Sequence, residues 1–314
     1  MGDCIGIDIG GTKIAAGVVD DEGTLVASAR RPTPGSDVGA IVSAAADLVQ
    51  ELQQSYAVTG IGVGAAGFVD AARATLLFAP NLSWRNEPFK ERLETLTGLP
   101  TVVENDANAA AWAEVRFGAA RGARHCVVVT VGTGIGGGIV VDGRLLRGAS
   151  GIAAEIGHIN VKQGGRRCGC GLLGCWERYG SGRALVHEAR ELAQYAPGIA
   201  ARLLELGGGT PSGIQGLHVT RAAQEGDSAA IECFDIVGQW LGVGMSDLAS
   251  VLDPELFVLA GGVSEAGELL RAPAAASLVR NLSGKPFRTA PPVRLATLGN
   301  AAGMIGAADL ARTD

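Results

Sequence analysis

Ile5-Gly6-Ile7-Asp8-Ile9-Gly10-Gly11-Thr12-Lys13-Ile14-Ala15-Ala16-Gly17-Val18-Val19-Asp20 reads as an alternating strand, a glycine-rich turn and a second strand. The pattern returns at an offset of 122 residues. Val129-Thr130-Val131-Gly132-Thr133-Gly134-Ile135-Gly136-Gly137-Gly138-Ile139-Val140-Val141-Asp142 overlays it without a gap, Gly10 on Gly132 and Asp20 on Asp142. An internal duplication of this kind predicts two related lobes. Two hairpin turns rich in backbone N–H groups then become candidate phosphate cradles facing each other across a cleft.

A glycine-rich hairpin turn is ordinarily only a turn. Asp8, Thr12 and Lys13 set the first one apart, because they put a metal-facing carboxylate, a hydroxyl and a cation beside the N–H groups. Neither turn is a P-loop, since the spacing Gly-x₄-Gly-Lys-Ser/Thr is absent. A third turn, Gly261-Gly262, follows the apolar run Phe257-Val258-Leu259-Ala260 and opens a segment suited to lie against a nucleotide.

Between these landmarks the pattern is α/β. It predicts a helix near 38–56, a strand over 60–65 and a strand over 101–104 leading into Asn105-Asp106. Asn105-Asp106 ahead of the alanine-rich 107–112 reads as a helix N-cap, and the end of an apolar strand is also where open α/β sheets keep their ligands.

A second landmark runs from Glu155-Ile156-Gly157-His158 to Cys168-Gly169-Cys170-Gly171-Leu172-Leu173-Gly174-Cys175-Trp176-Glu177. One imidazole and three thiols make the Cys₃His ligand set of a four-coordinate zinc, with glycines supplying tight turns. Such a site is closed, so the metal shapes a loop, and the flanking Glu155 and Glu177 become candidates for holding something else. The alternative is a set of disulfides or buried thiols. Cys168 and Cys170 stand too close for a comfortable bridge, and nothing marks the chain as secreted.

Composition fits a cytoplasmic enzyme. The chain has 314 residues, 47% of them hydrophobic, and a net charge of −6, enough for two lobes with their own cores and no basic surface for nucleic acid. Its start enters a strand pattern directly, without a signal or lipidation motif, and no apolar run is long enough to span a bilayer. Cys4, Cys126 and Cys233 lie in apolar segments and read as reduced core residues, while His125, His187 and His218 read as surface or structural.

Asp8-Ile9-Gly10-Gly11-Thr12-Lys13, Glu104-Asn105-Asp106-Ala107-Asn108, Gly132-Thr133-Gly134-Ile135-Gly136-Gly137-Gly138, Glu155-Ile156-Gly157-His158 and Cys168-x-Cys170-Gly171-x-x-Gly174-Cys175-x-Glu177, in this order, resemble the ROK family of sugar kinases, repressors and related proteins. Within it the chain is similar to bacterial ATP-dependent glucokinases of actinomycete type, Cys175-Trp176-Glu177-Arg178-Tyr179-Gly180-Ser181-Gly182 included. The resemblance covers essentially the whole chain. It implies an actin-like ATPase (ribonuclease H-like) α/β fold with an interlobe cleft: a small lobe of residues 1–108 plus 304–314, and a large lobe of 109–303 carrying a structural zinc loop over 155–177. It also implies transfer of the γ-phosphoryl group of ATP, with Mg²⁺, to the 6-hydroxyl of glucose.

By family analogy Asp106 is the general base, Asn105, Glu155, His158 and Glu177 bind sugar hydroxyls, and main chain at Gly67 closes over the ring. Asp8, Gly10, Gly11, Thr12, Lys13, Gly132, Thr133, Gly134, Gly261 and Gly262 take the nucleotide phosphates, and His158, Cys168, Cys170 and Cys175 hold Zn²⁺. A homodimer or homotetramer is implied too. Two alternatives stand beside this reading. One is a kinase for N-acetylmannosamine, N-acetylglucosamine or fructose, or one using polyphosphate, a branch not expected to carry the zinc loop. The other is a non-catalytic ROK regulator, which would need a helix-turn-helix ahead of the strand at Ile5.

Overall fold

A computed structural model describes residues 2–35, 37–79 and 84–313. The chain opens with β1 (Asp3–Ile9), β2 (Lys13–Val19), β3 (Leu25–Pro32), α1 (Val38–Gln53), β4 (Val58–Ala65), β5 (Phe68–Val69), β6 (Leu76–Ala79), β7 (Trp84–Glu87), α2 (Phe89–Thr97), β8 (Thr101–Asn105) and α3 (Asp106–Arg116). It continues through β9 (Cys126–Val131), β10 (Ile135–Val141), β11 (Arg144–Leu145), α4 (Glu177–Gly180), α5 (Gly182–Tyr195), α6 (Ala201–Leu206), α7 (Gly216–Gln224) and α8 (Ser228–Leu252). It closes with β12 (Leu256–Ala260), α9 (Glu268–Asn281), β13 (Val293–Leu295) and α10 (Ala302–Thr313). Both predicted hairpins form. The helix predicted near 38–56 ends at Gln53, where the N–H groups of Ser55 and Tyr56 turn back to the Leu52 carbonyl.

Chain packing divides the described residues into two units, one lying within 1–127, 138–154 and 297–314, the other within 128–137 and 155–296. The first is wider than the small lobe expected from the family pattern. Buried Glu114 of α3 is the reason: its carboxylate accepts from the backbone N–H groups of Ala119 at 2.7 Å, Thr297 at 3.0 Å and Leu298 at 2.9 Å. Asp309 of α10, also buried, accepts from Trp112 Nε1 at 2.8 Å and Arg116 Nε at 2.9 Å. These bonds keep 109–127 and 297–303 with the sheet that α10 covers.

That sheet has the order β3-β2-β1-β4-β8. β1 pairs antiparallel with β2 and parallel with β4, and β4 pairs parallel with β8. β1 and β4 are buried on both faces, whereas β3 alternates along its length as an edge strand does. α10 reaches the sheet because Gly6 and Gly62 have no side chain: a Cβ at either would overlap the carbonyls of Met304 or Ala307. α1, capped by Asp37, buries Ile41, Val42, Leu48, Val49 and Leu52 in the core built on β1, β2 and β4. β5, β6 and β7 form a small antiparallel sheet that the sequence pattern did not announce.

The other sheet has the order β11-β10-β9-β12-β13. In the second unit α8 is the central helix, and Trp176 docks the cysteine loop on it by donating from Nε1 to the Trp240 carbonyl at 2.7 Å. Its indole occupies the space a Cβ at Gly244 would take. Among the described residues no helix is long and apolar enough to cross a membrane.

Candidate active site

In the first unit the β1–β2 turn closes through Gly10 N–H to the Lys13 carbonyl at 3.0 Å, and Thr33 Oγ1 donates to the Gly10 carbonyl at 2.7 Å. The Gly10 N–H therefore serves the turn. Gly11 stands in open space, with no heavy atom within 4 Å of where its Cβ would lie. Asp8, at the end of β1, lies close enough to Asp106 for the two carboxylates to feel each other. Burial first, then the Asp106 charge, pushes the Asp8 carboxyl up from 3.8 to about 6, against a smaller pull from Lys13.

Asp106 is the first residue of α3. Burial raises its carboxyl above the ordinary carboxylate range, although the Ala107 N–H donates to it at 2.9 Å and pulls the other way. Asn105 is the N-cap, as its residue type predicted: Oδ1 accepts from Ala107 N at 2.9 Å and Asn108 N at 3.1 Å. Its Nδ2 donates to the Gly67 carbonyl at 3.1 Å. Asn105 thus ties Gly67 to the start of α3, and a Cβ at Gly67 would overlap the Phe78 carbonyl. Asp8, Gly67, Asn105 and Asp106 belong to one neighbourhood.

In the second unit the β9–β10 turn closes differently from its duplicate, through Gly132 N–H to the Gly134 carbonyl at 3.0 Å, and Gly182 N–H donates to the Gly132 carbonyl at 2.8 Å. Gly261 sits at φ 83° beside Val131, whose carbonyl would lie 2.7 Å from a Cβ there. Gly132, Thr133, Gly134 and Gly261 therefore come together. Glu177 reaches the same turn, since a Cβ at Gly134 would overlap its Oε2. Its other oxygen accepts from the Cys168 thiol at 3.0 Å. Glu155 precedes a short 3₁₀ turn over Ile156–His158, which rests on the Ile135 carbonyl through Gly157.

His158, Cys168, Cys170 and Cys175 gather their ligand atoms within 4.8 Å of one another. Cys168 Sγ lies 3.7 Å from His158 Nδ1, and Cys170 Sγ lies 3.6 Å from Cys175 Sγ. Tetrahedral ligands about 2.3 Å from a metal stand about 3.7 Å apart, so this set fits a zinc ion. A disulfide needs about 2.05 Å between sulfurs. All six cysteines are free. Of the other histidines, His187 faces Glu191 on an exposed helix surface and His218 caps α7 through Gln215 N. His125 lies 3.6 Å from Asp142.

Sequence reading passed over Glu104, Arg73 and Arg147, which lie directly behind Asn105. Glu104 is 1% exposed, with Arg147 Nε at 2.8 Å and Arg73 Nε at 3.3 Å from Oε2. A charge at the end of an apolar strand was the available signal for Glu104; nothing local marked the arginines.

The whole chain superposes on a ROK family glucokinase from Streptomyces griseus solved with glucose and AMPPNP, with a TM-score of 0.89, 50% identity and all of both chains covered. A ROK hexokinase from Thermus thermophilus matches with a TM-score of 0.81 and 35% identity over 99% of this chain and 98% of that one. The architecture is the two-domain α/β fold of the actin-like ATPases. The chain belongs to the ROK family, whose model matches residues 4–314. The glucokinase of Streptomyces coelicolor is 49% identical over 312 residues, covering 99% of this chain and 98% of that protein.

Proposed function

We propose that this chain is an ATP-dependent glucokinase, moving the γ-phosphoryl group of ATP to the 6-hydroxyl of glucose. The observation that carries the reading is the end-to-end match, at 50% identity, with a glucokinase whose structure holds glucose and AMPPNP. Phosphoryl transfer asks a protein mainly for alignment and charge stabilisation. Asp106 takes the proton from the attacking hydroxyl, a role its raised pKa suits, because a base poised nearer neutrality transfers protons more effectively.

For glucose, the family resemblance assigns Asn105, Asp106, the main chain at Gly67, Glu155, His158 and Glu177. Two glutamates, an amide and an imidazole nitrogen supply the acceptors and donors that buried sugar hydroxyls need. For ATP and its Mg²⁺, the first turn offers Asp8, Gly11, Thr12 and Lys13 and the second offers Thr133 and Gly134. Gly10 and Gly132 shape those turns, and Gly261 and Gly262 the turn after β12, so that backbone can approach phosphate. His158, Cys168, Cys170 and Cys175 hold a structural Zn²⁺, His158 through Nδ1, which leaves Nε2 for the sugar. A cytoplasmic homodimer or homotetramer and a functional division at residue 108 complete the reading by family resemblance.

A coupled ADP-release assay tests it, run with glucose, fructose, N-acetylglucosamine and N-acetylmannosamine against ATP and polyphosphate. Glucose with ATP should give the highest kcat/KM. Faster turnover of an N-acetylated sugar, or of polyphosphate, would overturn the assignment, and sugar binding without turnover would favour the regulator.

A further inference from the structure

Glu104 is the penultimate residue of β8, with its side chain buried in the first unit. Oε1 accepts from the Asn105 N–H at 2.9 Å and from Asn108 Nδ2 at 3.1 Å. Oε2 faces Arg147 and Arg73 in charge contacts that are not aligned as hydrogen bonds. Arg147 is anchored at its other end, donating from its terminal nitrogens to the carbonyls of Ala71 at 3.0 Å and Asp70 at 2.8 Å. The Asp70–Ala71 turn follows β5, just after Gly67, and the Gly67 carbonyl accepts from Asn105 Nδ2. Hydrogen bonds and one ion pair form a closed ring: Asn105 to Glu104, Glu104 to Arg147 by charge alone, Arg147 to the β5–β6 turn, and from that strand back to Asn105.

Removing a carboxylate and two guanidinium groups from water is costly, and an apolar side chain would fill the end of a strand more cheaply. What the charges accomplish is local. They fix the backbone immediately before Asp106 and the side chain two residues after it, leaving the first turn of α3 one position. We propose that Glu104 and Arg147 are positioning residues for phosphoryl transfer, setting where Asp106 stands relative to the attacking hydroxyl. This rests on the reading of Asp106 as the base. A misplacement of about 1 Å at such a group costs on the order of 100-fold in rate.

The test uses the intact protein with Glu104→Gln, Arg147→Lys, Arg147→Met and, alongside, Asp106→Asn. Glu104→Gln should stay folded by circular dichroism, keep its calorimetric glucose Kd within threefold and its KM for ATP within twofold, and lose at least 30-fold in kcat. Arg147→Met should lose a similar factor, Arg147→Lys less, and the Glu104→Gln/Arg147→Met double variant no more than the worse single. A purely structural role would lower Tm and leave the kcat of folded protein unchanged. A folded Glu104→Gln with kcat within threefold of wild type overturns the proposal, and if that variant is insoluble, Arg147→Lys decides by the same criterion. An active Asp106→Asn would instead remove the base and this inference together, whereas a dead Asp106→Asn beside an active Glu104→Gln removes the positioning role alone.

Discussion

Asp8 and Asp106 are two carboxyls that share one neighbourhood; burial makes both harder to ionise, and the Asp106 charge adds to the rise at Asp8. If Asp106 is the base, Asp106→Asn should keep the helix start and the glucose contact while kcat falls by about 10²–10⁴-fold. Calorimetry beside steady-state kinetics checks the split; turnover within tenfold of wild type would reduce Asp106 to a structural residue. Asp8 has a consequence for stability. A carboxyl whose folded pKa is raised contributes most below its ordinary 3.8, and that contribution is lost as pH climbs through about 6. Asp8→Asn should therefore raise Tm relative to wild type at pH 7.5, with the gap closing near pH 4, while weakening Mg²⁺–ATP. The rise to about 6 caps the gain at about 3 kcal/mol, and partial solvent contact lowers the expected figure to about 1 kcal/mol. A Tm difference independent of pH would exclude this origin.

The duplicated hairpins, alike in sequence, differ in what their glycines protect. Gly11 faces open space, so Gly11→Ala should raise the KM for ATP several-fold and leave the KM for glucose within twofold. Gly134→Ala pushes on Glu177 and should raise both. Equal responses from the two variants would contradict the asymmetry. For the cysteine loop, Cys170→Ala should give a folded protein without its zinc equivalent that still binds ATP but has lost at least tenfold in glucose affinity. Metal analysis with calorimetry decides, and unchanged glucose affinity would detach the loop from the sugar. Much at this scale was legible beforehand, because hairpins, the Asn105 cap and the Cys₃His spacing are written within a few consecutive residues. The β5–β7 sheet was not, since strands of two to four residues carry no periodicity. Nor were the partners of Glu104 and Glu114, because nothing near Arg147 or Thr297 in sequence says what they will meet.

At the scale of the molecule, polar staples and backbone contact hold α3 and α10 to the first sheet. Glu114→Gln puts an amide N–H₂ among backbone N–H donors and should cost about 2–4 kcal/mol. Gly306→Ala drives a methyl into the Ala109 carbonyl where α10 crosses α3, and should cost at least as much. Each kcal/mol corresponds to roughly 2–4 °C in Tm for a domain of this size. Scanning calorimetry on both variants checks the ranking against an exposed control such as Val251→Ala, expected within about 0.5 kcal/mol of wild type. The packing boundary after residue 127 lies beyond the expected one at residue 108 because Glu114 and Asp309 act across nearly 200 residues of chain.

The strip of β1 and β4 kept free of side chains by Gly6 and Gly62 has a consequence for synthesis. A ribosome delivers those strands first and must make all of residues 128–296 before α10 emerges to cover them. At about 5–20 residues per second, that is a wait on the order of ten seconds or more, during which the glycine strip and the apolar side chains beside it lack the helix that covers them. The nascent chain is thus committed late, and its vulnerability to aggregation lies in the interval between making the first hairpin and releasing the helix that seals it.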